Sequence, residues 1–165
     1  MGLLSADSRR DTAIAWTFVA VQFALLGVIL LMPPGSAWAV PRWTATGSRA
    51  LQWVGVAALG LGLVHLGRSL TPLPTPVPHG ELHTGGLYRL VRHPIYSGIM
   101  ALTIGTAARS GNPVTAAATI ALIGWFMLKT RWEEGQLEAR YPTYRSYAAH
   151  TPRFVPGWPF GEDRA

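Results

Sequence analysis

The residues best suited to chemistry lie in one short stretch, residues 86–98, which reads Gly-Leu-Tyr-Arg-Leu-Val-Arg-His-Pro-Ile-Tyr-Ser-Gly. Its arginines, histidine and tyrosines lie directly against an apolar segment. Polar and ionisable groups at such a boundary are costly to desolvate, so they are usually kept because they bind something. Further along the chain, Glu133 and Glu134 close the last apolar segment. We therefore expect the two stretches to form the two halves of one site at a membrane surface.

The composition indicates an integral membrane protein. Of the 165 residues, 49% are hydrophobic and 13% charged, with a mean hydropathy of +0.23, whereas soluble domains carry about 25% charged residues. Between Asp11 and Glu133 the only acid is Glu81. The chain has no cysteine, which excludes disulfides and thiolate ligands, and we predict no metal. The net charge of +6 is spread over loops and tail, which favours a lipid bilayer over nucleic acid as the partner.

Four apolar segments predict an all-α fold, an integral membrane helical bundle with about four transmembrane helices. They cover residues 12–32, 50–67, 95–108 and 113–129. The first is long enough as a helix to cross a bilayer of roughly 30 Å. The third is too short to cross unaided, so its helix is expected to begin near Arg92, His93 and Pro94. Asn112 is a predicted N-cap and Pro113 a first helical residue, which makes the last two segments an antiparallel hairpin.

The chain is interpreted as a single membrane domain, 1–165. Residues 1–67 are the first two spans, 68–94 a proline-rich cytoplasmic loop, and 95–165 the hairpin with a binding tail. The fourth helix has no breaker before Pro142, so it should leave the membrane and carry the two glutamates into the headgroup zone. Aromatic and basic residues beyond it predict an interfacial C-terminal segment on the cytoplasmic side.

Arginine and lysine placement predicts the orientation. The N-terminus, the middle loop and the tail carry most of these residues, so these parts are expected in the cytoplasm. The motif Ala37-Trp38-Ala39 resembles a signal-peptidase site, but the apolar run before it is longer than the core of a cleaved signal. We expect a retained first span, in an integral protein of a prokaryotic cell membrane whose active site faces the cytoplasm.

Each histidine allows a functional and a plain interpretation. His93 could simply cap the following helix, but its neighbours Arg92, Pro94 and Tyr96 favour a ligand contact. His65, inside the second segment, favours a hydrogen-bonded packing role over haem ligation. The proline-rich loop delivers His83 and paired glycines to the histidine motif, and glycines permit close backbone approach to a ligand.

Taken together, these motifs resemble the isoprenylcysteine carboxyl methyltransferase and phospholipid N-methyltransferase superfamily. The resemblance covers residues 82–156. It rests on residues 86–98, Asn112-Pro113, Glu133-Glu134, Tyr144, Tyr147 and the Pro152–Pro156 stretch. One departure is Arg140-Tyr141-Pro142, where relatives often carry a Phe-Gly turn.

The resemblance implies S-adenosylmethionine as cofactor, bound at the cytoplasmic end of the last two helices, and a lipophilic or prenylated acceptor that enters from the bilayer. Carboxylates suit the ammonium and sulfonium of this cofactor, and arginine or histidine suits its carboxylate. The predicted catalytic residues are Arg131, Arg153 and Glu134, with the arginines as a clamp for the acceptor. The predicted cofactor-binding residues are Leu82, His83, Gly86, Tyr88, Arg92, His93, Pro94, Tyr96, Gly98, Glu133 and Glu134.

Two other functional classes remain open at this point. A membrane reductase of the sterol-reductase type shares part of the histidine motif but uses NADPH. A non-catalytic membrane subunit would bury the same helices without needing the polar cluster. Prenylated cysteine, a phospholipid amine, a quinone-like lipid and a small thiol all remain possible acceptors.

Overall fold

The computed structural model describes the backbone of residues 3–67 and 82–157 and the side chains of residues 10–67 and 82–157. All of its regular elements are helical: α1 Leu3–Leu31, α2 Arg42–Leu66, a 3-10 helix Gly86–Arg89, α3 Pro94–Ser110, α4 Pro113–Arg140 and α5 Tyr144–His150. The predicted all-α fold is therefore confirmed. Most of the predicted proline-rich loop lies outside the described residues, as do the aromatic residues Trp158 and Phe160 of the tail.

Three described helices are long and apolar enough to cross a membrane: 22 residues of α1, the 25 of α2 and the 28 of α4. This confirms the helical membrane bundle. The helix α3 has only 17 residues, in agreement with the short third segment. The helix α2 begins at Arg42, earlier than the predicted residue 50. Its first two turns are polar, so apolar periodicity does not mark them, although Thr46 bonds back to the carbonyl of Arg42 at 3.0 Å.

Glycines let α2 and α3 pack at close range. A Cβ placed on Gly98 would lie 2.7 Å from the backbone oxygen of Gly55, and a Cβ on Gly55 would lie 2.7 Å from the oxygen of Gly98. Gly62 meets Ile95 in the same interface, whereas Gly60 has open space around it. Small residues at a membrane-helix contact allow this approach. The contact fixes the start of α3, and with it the histidine motif.

The helices α1 and α4 form the second main contact. The indole N–H of Trp125 donates to the carbonyl of Phe18 at 3.1 Å, and the two rings lie 5.1 Å apart. The apolar core between the helices contains Ile29, Met100, Ala118, Leu122, Phe126 and Phe154. Because Phe154 follows α5, the core also anchors the segment beyond the membrane helices.

The α3–α4 turn closes one end of the bundle as the sequence predicts. The side chain of Asn112 accepts from the backbone N–H of Val114 at 2.8 Å, and Pro113 opens α4. The Asn112 amide also donates to the carbonyl of Pro33 at 2.9 Å. This single side chain therefore caps α4 and ties the turn to the loop after α1.

At the opposite end, the chain after α5 folds back onto the start of α3. The backbone N–H groups of Arg92 and His93 donate to the carbonyls of Pro152 and Arg153, at 2.9 and 3.1 Å. The hydroxyl of Ser97 donates to the carbonyl of Phe154 at 2.7 Å. The two backbone bonds satisfy amides directly before α3 that have no partner within the helix. They also deliver the Arg153 side chain to the histidine motif.

Candidate active site

His93 uses its side chain for a carboxylate and not for the helix end. It is the residue before α3, with Pro94 at the first helical position, and its side chain makes no capping hydrogen bond. Its Nε2 instead lies 2.9 Å from Oε1 of Glu134, and the residue is 6% exposed. The plain capping interpretation of His93 is therefore wrong. The two halves predicted from the sequence meet here.

Glu134 is the centre of a buried ionic cluster. Arg153 donates to both of its oxygens, from Nε at 3.0 Å and from the terminal Nη2 at 2.5 Å. Nε of Arg92 lies 3.3 Å from Oε1. A two-pronged arginine–carboxylate contact is the strongest and most directional of such pairs. We call Glu134, Arg92, His93 and Arg153 the Glu134 cluster.

The Glu134 cluster has more positive charge than its own carboxylate neutralises. Among the described side chains of the cluster, two guanidinium groups face one carboxylate, a formal excess of one positive charge before any proton on His93 is counted. Arg92 also donates from Nη1 to the carbonyl of Ala148 at 3.3 Å. The buried hydroxyl of Tyr144 has no hydrogen-bond partner among the described residues, and the buried Nε of Arg92 is ion-paired with Glu134 at 3.3 Å without a hydrogen bond. An anionic group is the ligand chemistry that suits such a site.

Glu133 lies in a second, adjoining polar group. The hydroxyl of Tyr96 donates to Oε2 of Glu133 at 3.1 Å. The Tyr96 ring stacks against the rings of His93 and Phe126, with centroids 5.5 and 4.8 Å apart. Glu133 is half-buried, and this is its one hydrogen bond among the described residues. Its carboxylate keeps acceptor capacity for a cationic partner.

Lys129 lies in this polar region, although it was not among the candidate site residues expected from the sequence. Its Nζ donates to Oε1 of Gln22 at 2.7 Å and lies 5.0 Å from the centre of the Tyr96 ring. Both Lys129 and Gln22 are buried. The available signal was that Lys129 is the only lysine of the chain and ends an apolar segment. We call Gln22, Lys129, Tyr96 and Glu133 the Glu133 cluster.

The 3-10 helix before α3 is held by Tyr88 and Gly86. The hydroxyl of Tyr147, on α5, donates to the carbonyl of Tyr88 in a short hydrogen bond. Burial raises the pKa of Tyr147 to about 12, so this donor keeps its proton at neutral pH. Gly86 has a φ of 58°, and a Cβ there would lie 2.2 Å from the ring of His65. Glycine at this position therefore needs no ligand to explain it. His65 is exposed, and its Nδ1 lies 2.6 Å from the carbonyl oxygen of Leu61.

Several predicted site residues have structural surroundings that leave their ligand roles as predictions. Gly98 packs against α2, and Pro94 is buried at the start of α3. Leu82 and His83 are half-buried at the beginning of the second described stretch, and Arg131 has an exposed side chain on α4. Within residues 3–67 and 82–157, no group of three or more histidine, cysteine or acidic side chains could hold a metal ion.

Comparison with known proteins places this arrangement in a family. Residues 49–144 match the family model described as phospholipid methyltransferase. The protein-S-isoprenylcysteine O-methyltransferase B of Arabidopsis thaliana is 34% identical over 99 residues, which are 57% of this chain and 50% of that protein. A probable protein-S-isoprenylcysteine O-methyltransferase of Oryza sativa subsp. indica is 33% identical over 113 residues, 66% of this chain and 58% of its own length.

A third relative matches over a longer stretch. The protein-S-isoprenylcysteine O-methyltransferase A of Arabidopsis thaliana is 32% identical over 120 residues, 69% of this chain and 60% of that protein. The chain thus spans between half and three fifths of the length of these curated relatives. The family match begins inside α2 and ends at Tyr144, so it contains the histidine motif and both glutamates. On this evidence the chain belongs to the phospholipid methyltransferase family of membrane proteins.

Proposed function

We propose that this protein transfers a methyl group from S-adenosylmethionine to a lipophilic acceptor at the membrane surface. The observation that carries the proposal is the meeting of the Glu134 cluster and the Glu133 cluster where α3 begins and α4 overshoots the apolar bundle. The relatives named for O-methyl transfer to isoprenylcysteine support it, although this chain spans only part of their length.

The residues present fit this cofactor. It carries an ammonium, a sulfonium and a carboxylate, which call for both signs of charge in one site. The two clusters supply two carboxylates and two arginines beside stacked aromatic rings. The buried hydroxyl of Tyr144 has no hydrogen-bond partner among the described residues, and a carboxylate would satisfy such a group. When bound, S-adenosylmethionine supplies a methyl group activated by the positive charge of its sulfonium.

The structure favours different tasks for the two glutamates. Glu134 is already bonded to Arg153 and His93, so its charge is committed to holding those side chains in place. Glu133 has one hydrogen bond, from Tyr96, and is half-buried. We propose that Glu133 contacts the positively charged part of the cofactor. The arginines of the Glu134 cluster then bind the carboxylate of the cofactor. Arg153 then acts as a positioning and charge-balancing group. We further propose that Arg153 and Arg131 bind the anionic head of the acceptor.

The protein's contribution to catalysis is mainly positioning. Methyl transfer is an in-line displacement, so holding the reacting groups in line and at contact distance supplies much of the rate. An acceptor that is already a carboxylate or a thiolate needs no general base. The position of the site at one end of the membrane helices suits an acceptor whose tail stays in hydrocarbon. We extend the proposal to the cytoplasmic face of a prokaryotic cell membrane on the distribution of arginines.

Cofactor binding is tested by thermal unfolding of the purified, detergent-solubilised protein with S-adenosylmethionine, S-adenosylhomocysteine or NADPH. A ligand at 100 times its dissociation constant adds about 2.7 kcal/mol to the stability of the folded state. We expect stabilisation by the first two compounds. Stabilisation by NADPH alone would contradict the proposal and favour a membrane reductase of the sterol-reductase type.

The acceptor is tested with methyl-tritiated cofactor on extracted lipids and on prenylated cysteine of long and short chain. Each buried CH₂ contributes about 0.8 kcal/mol, so shortening the chain should raise KM steeply. Similar kcat/KM values for long and short acceptors would contradict entry from the bilayer and indicate a small soluble acceptor.

A further inference from the structure

The side chain of Lys129 is buried, and the need to fill space in the bundle does not explain why a charged residue lies there. Lys129 lies within α4 and is 1% exposed. It is the only lysine of the sequence, and the other permanently positive side chains are arginines. Ionisable side chains inside membrane helices are expensive and are usually kept for function. Replacing buried ions by apolar groups of similar volume is often neutral or stabilising. A lysine here therefore indicates a task beyond filling space.

The ammonium connects three helices. It donates to Gln22 on α1 and lies 5.0 Å from the centre of the Tyr96 ring on α3. A cation at that distance is attracted to the negative face of an aromatic ring. Glu133 follows Lys129 by four residues on α4, a spacing that places both on one helix face. The Tyr96 hydroxyl then donates to Glu133 at 3.1 Å.

These contacts fix Tyr96 at both ends of its side chain. The ring lies 5.5 and 4.8 Å from the rings of His93 and Phe126 and 5.0 Å from Nζ of Lys129, while its hydroxyl donates to Glu133. Removing Lys129 would free the ring from one side and leave the charge of Glu133 without its nearby cation. Removing Gln22 would take away the hydrogen-bond acceptor that orients Nζ.

We propose that Gln22 and Lys129 are positioning residues that hold Tyr96 and Glu133 for the cofactor, which makes α1 part of the site. The inference rests on the proposed function and deepens it. The family match starts at residue 49, so Gln22 and all of α1 lie outside the matched region. The surroundings of Glu133 are thus built partly by a helix that the family pattern does not include.

The first test reads Tyr96 directly and needs no cofactor. The protein has five tyrosines, so ring-labelled tyrosine gives few NMR signals, and Tyr96→Phe identifies the one from Tyr96. Lys129→Met and Gln22→Leu should both shift this signal. The matched control is Gln52→Leu, which removes another interhelical amide, bonded to Thr106 at 3.0 Å and to Arg109 at 3.3 Å. An unshifted Tyr96 signal in the first two variants would overturn the inference.

The second test measures binding of S-adenosylhomocysteine by calorimetry beside thermal unfolding of the free protein. Lys129→Met and Gln22→Leu should each weaken binding about tenfold, within the usual range of coupling between sites. Gln22→Glu keeps an acceptor for Nζ and should retain most of the affinity, and Gln52→Leu should not alter it. Unchanged affinity with a lowered Tm would show a purely structural role and contradict the inference. If the unmodified protein binds neither S-adenosylmethionine nor S-adenosylhomocysteine, the proposed function fails. The NMR signal of Tyr96 then shows by itself whether Gln22 and Lys129 hold Tyr96 in position.

Discussion

Glu133 and Glu134 are neighbours in sequence, yet the structure gives them different surroundings. Glu134 accepts from both prongs of Arg153 and lies against His93 and Arg92, all beyond or at the ends of the membrane helices. Glu133 accepts only from Tyr96 among the described residues and lies near Lys129. Successive residues on a helix point about 100° apart, so each carboxylate meets its own set of neighbours.

The difference separates a carboxylate that organises the site from one that is available to it. A saturated carboxylate holds arginines in fixed positions, and its removal takes away the carboxylate that they share. A carboxylate with free acceptor capacity can stabilise an incoming cation. The comparison therefore predicts opposite balances between stability and binding when each glutamate is neutralised.

The largest effect is expected from Glu134→Gln. Because Arg92 and Arg153 would lose their shared anion, the folded state should lose about 3–5 kcal/mol, measured by thermal unfolding in detergent. Glu138→Gln is the matched control, since Glu138 pairs with Arg145 at 3.6 Å on the surface and should matter little. A similar loss for Glu133→Gln would remove the contrast between the two glutamates.

The next effect concerns the geometry of the Glu134 cluster. Arg153→Lys keeps the charge but gives up the two-pronged contact, and hydrogen bonds to charged groups contribute about 1.5–3 kcal/mol. We expect a lower Tm together with weaker cofactor binding. Arg145→Lys, whose side chain is 84% exposed, serves as the control. If both substitutions lower Tm equally, the buried contact has no special weight.

Neutralising Glu133 should act mainly on ligands. Glu133→Gln is expected to weaken S-adenosylmethionine about tenfold, or 1.4 kcal/mol, more than S-adenosylhomocysteine. Only the first compound carries the sulfonium charge, so a nearby carboxylate distinguishes the two. Calorimetry with both compounds measures the difference, and equal losses would move Glu133 to the shared amino group or to a structural role.

The smallest effect tests two tyrosines of α5 in opposite directions. The Tyr144 hydroxyl is buried without a partner among the described residues, so Tyr144→Phe should stabilise the free protein by about 1 kcal/mol while weakening ligand binding. Tyr147→Phe deletes the donor to Tyr88 and should cost the free protein about the same amount. Losses of stability in both variants would mean that Tyr144 also has a structural partner.

The helical membrane fold could be predicted because local chemistry specifies it, and the two polar motifs were expected to meet because few other polar groups border the apolar segments. Apolar runs set the membrane helices, and Asn112-Pro113 carries its own capping chemistry. The absence of a helix breaker before Pro142 predicted that both glutamates lie near the C-terminal end of α4, which ends at Arg140. The start of α2 was missed because its first turns are polar and carry no apolar period.

The sequence by itself determined which polar residue types border the apolar segments. Desolvation makes such residues costly and therefore rare, so the few that occur can be recognised in the sequence. Only the tertiary structure decided which of them meet. Arg153 reaches Glu134 because backbone bonds from Arg92 and His93 draw in the chain after α5. Lys129 meets Gln22 across the α1–α4 contact, a pairing set by helix packing between distant parts of the chain. Partners brought together by packing leave no spacing in the sequence, because their distance along the chain is unrelated to their distance in space.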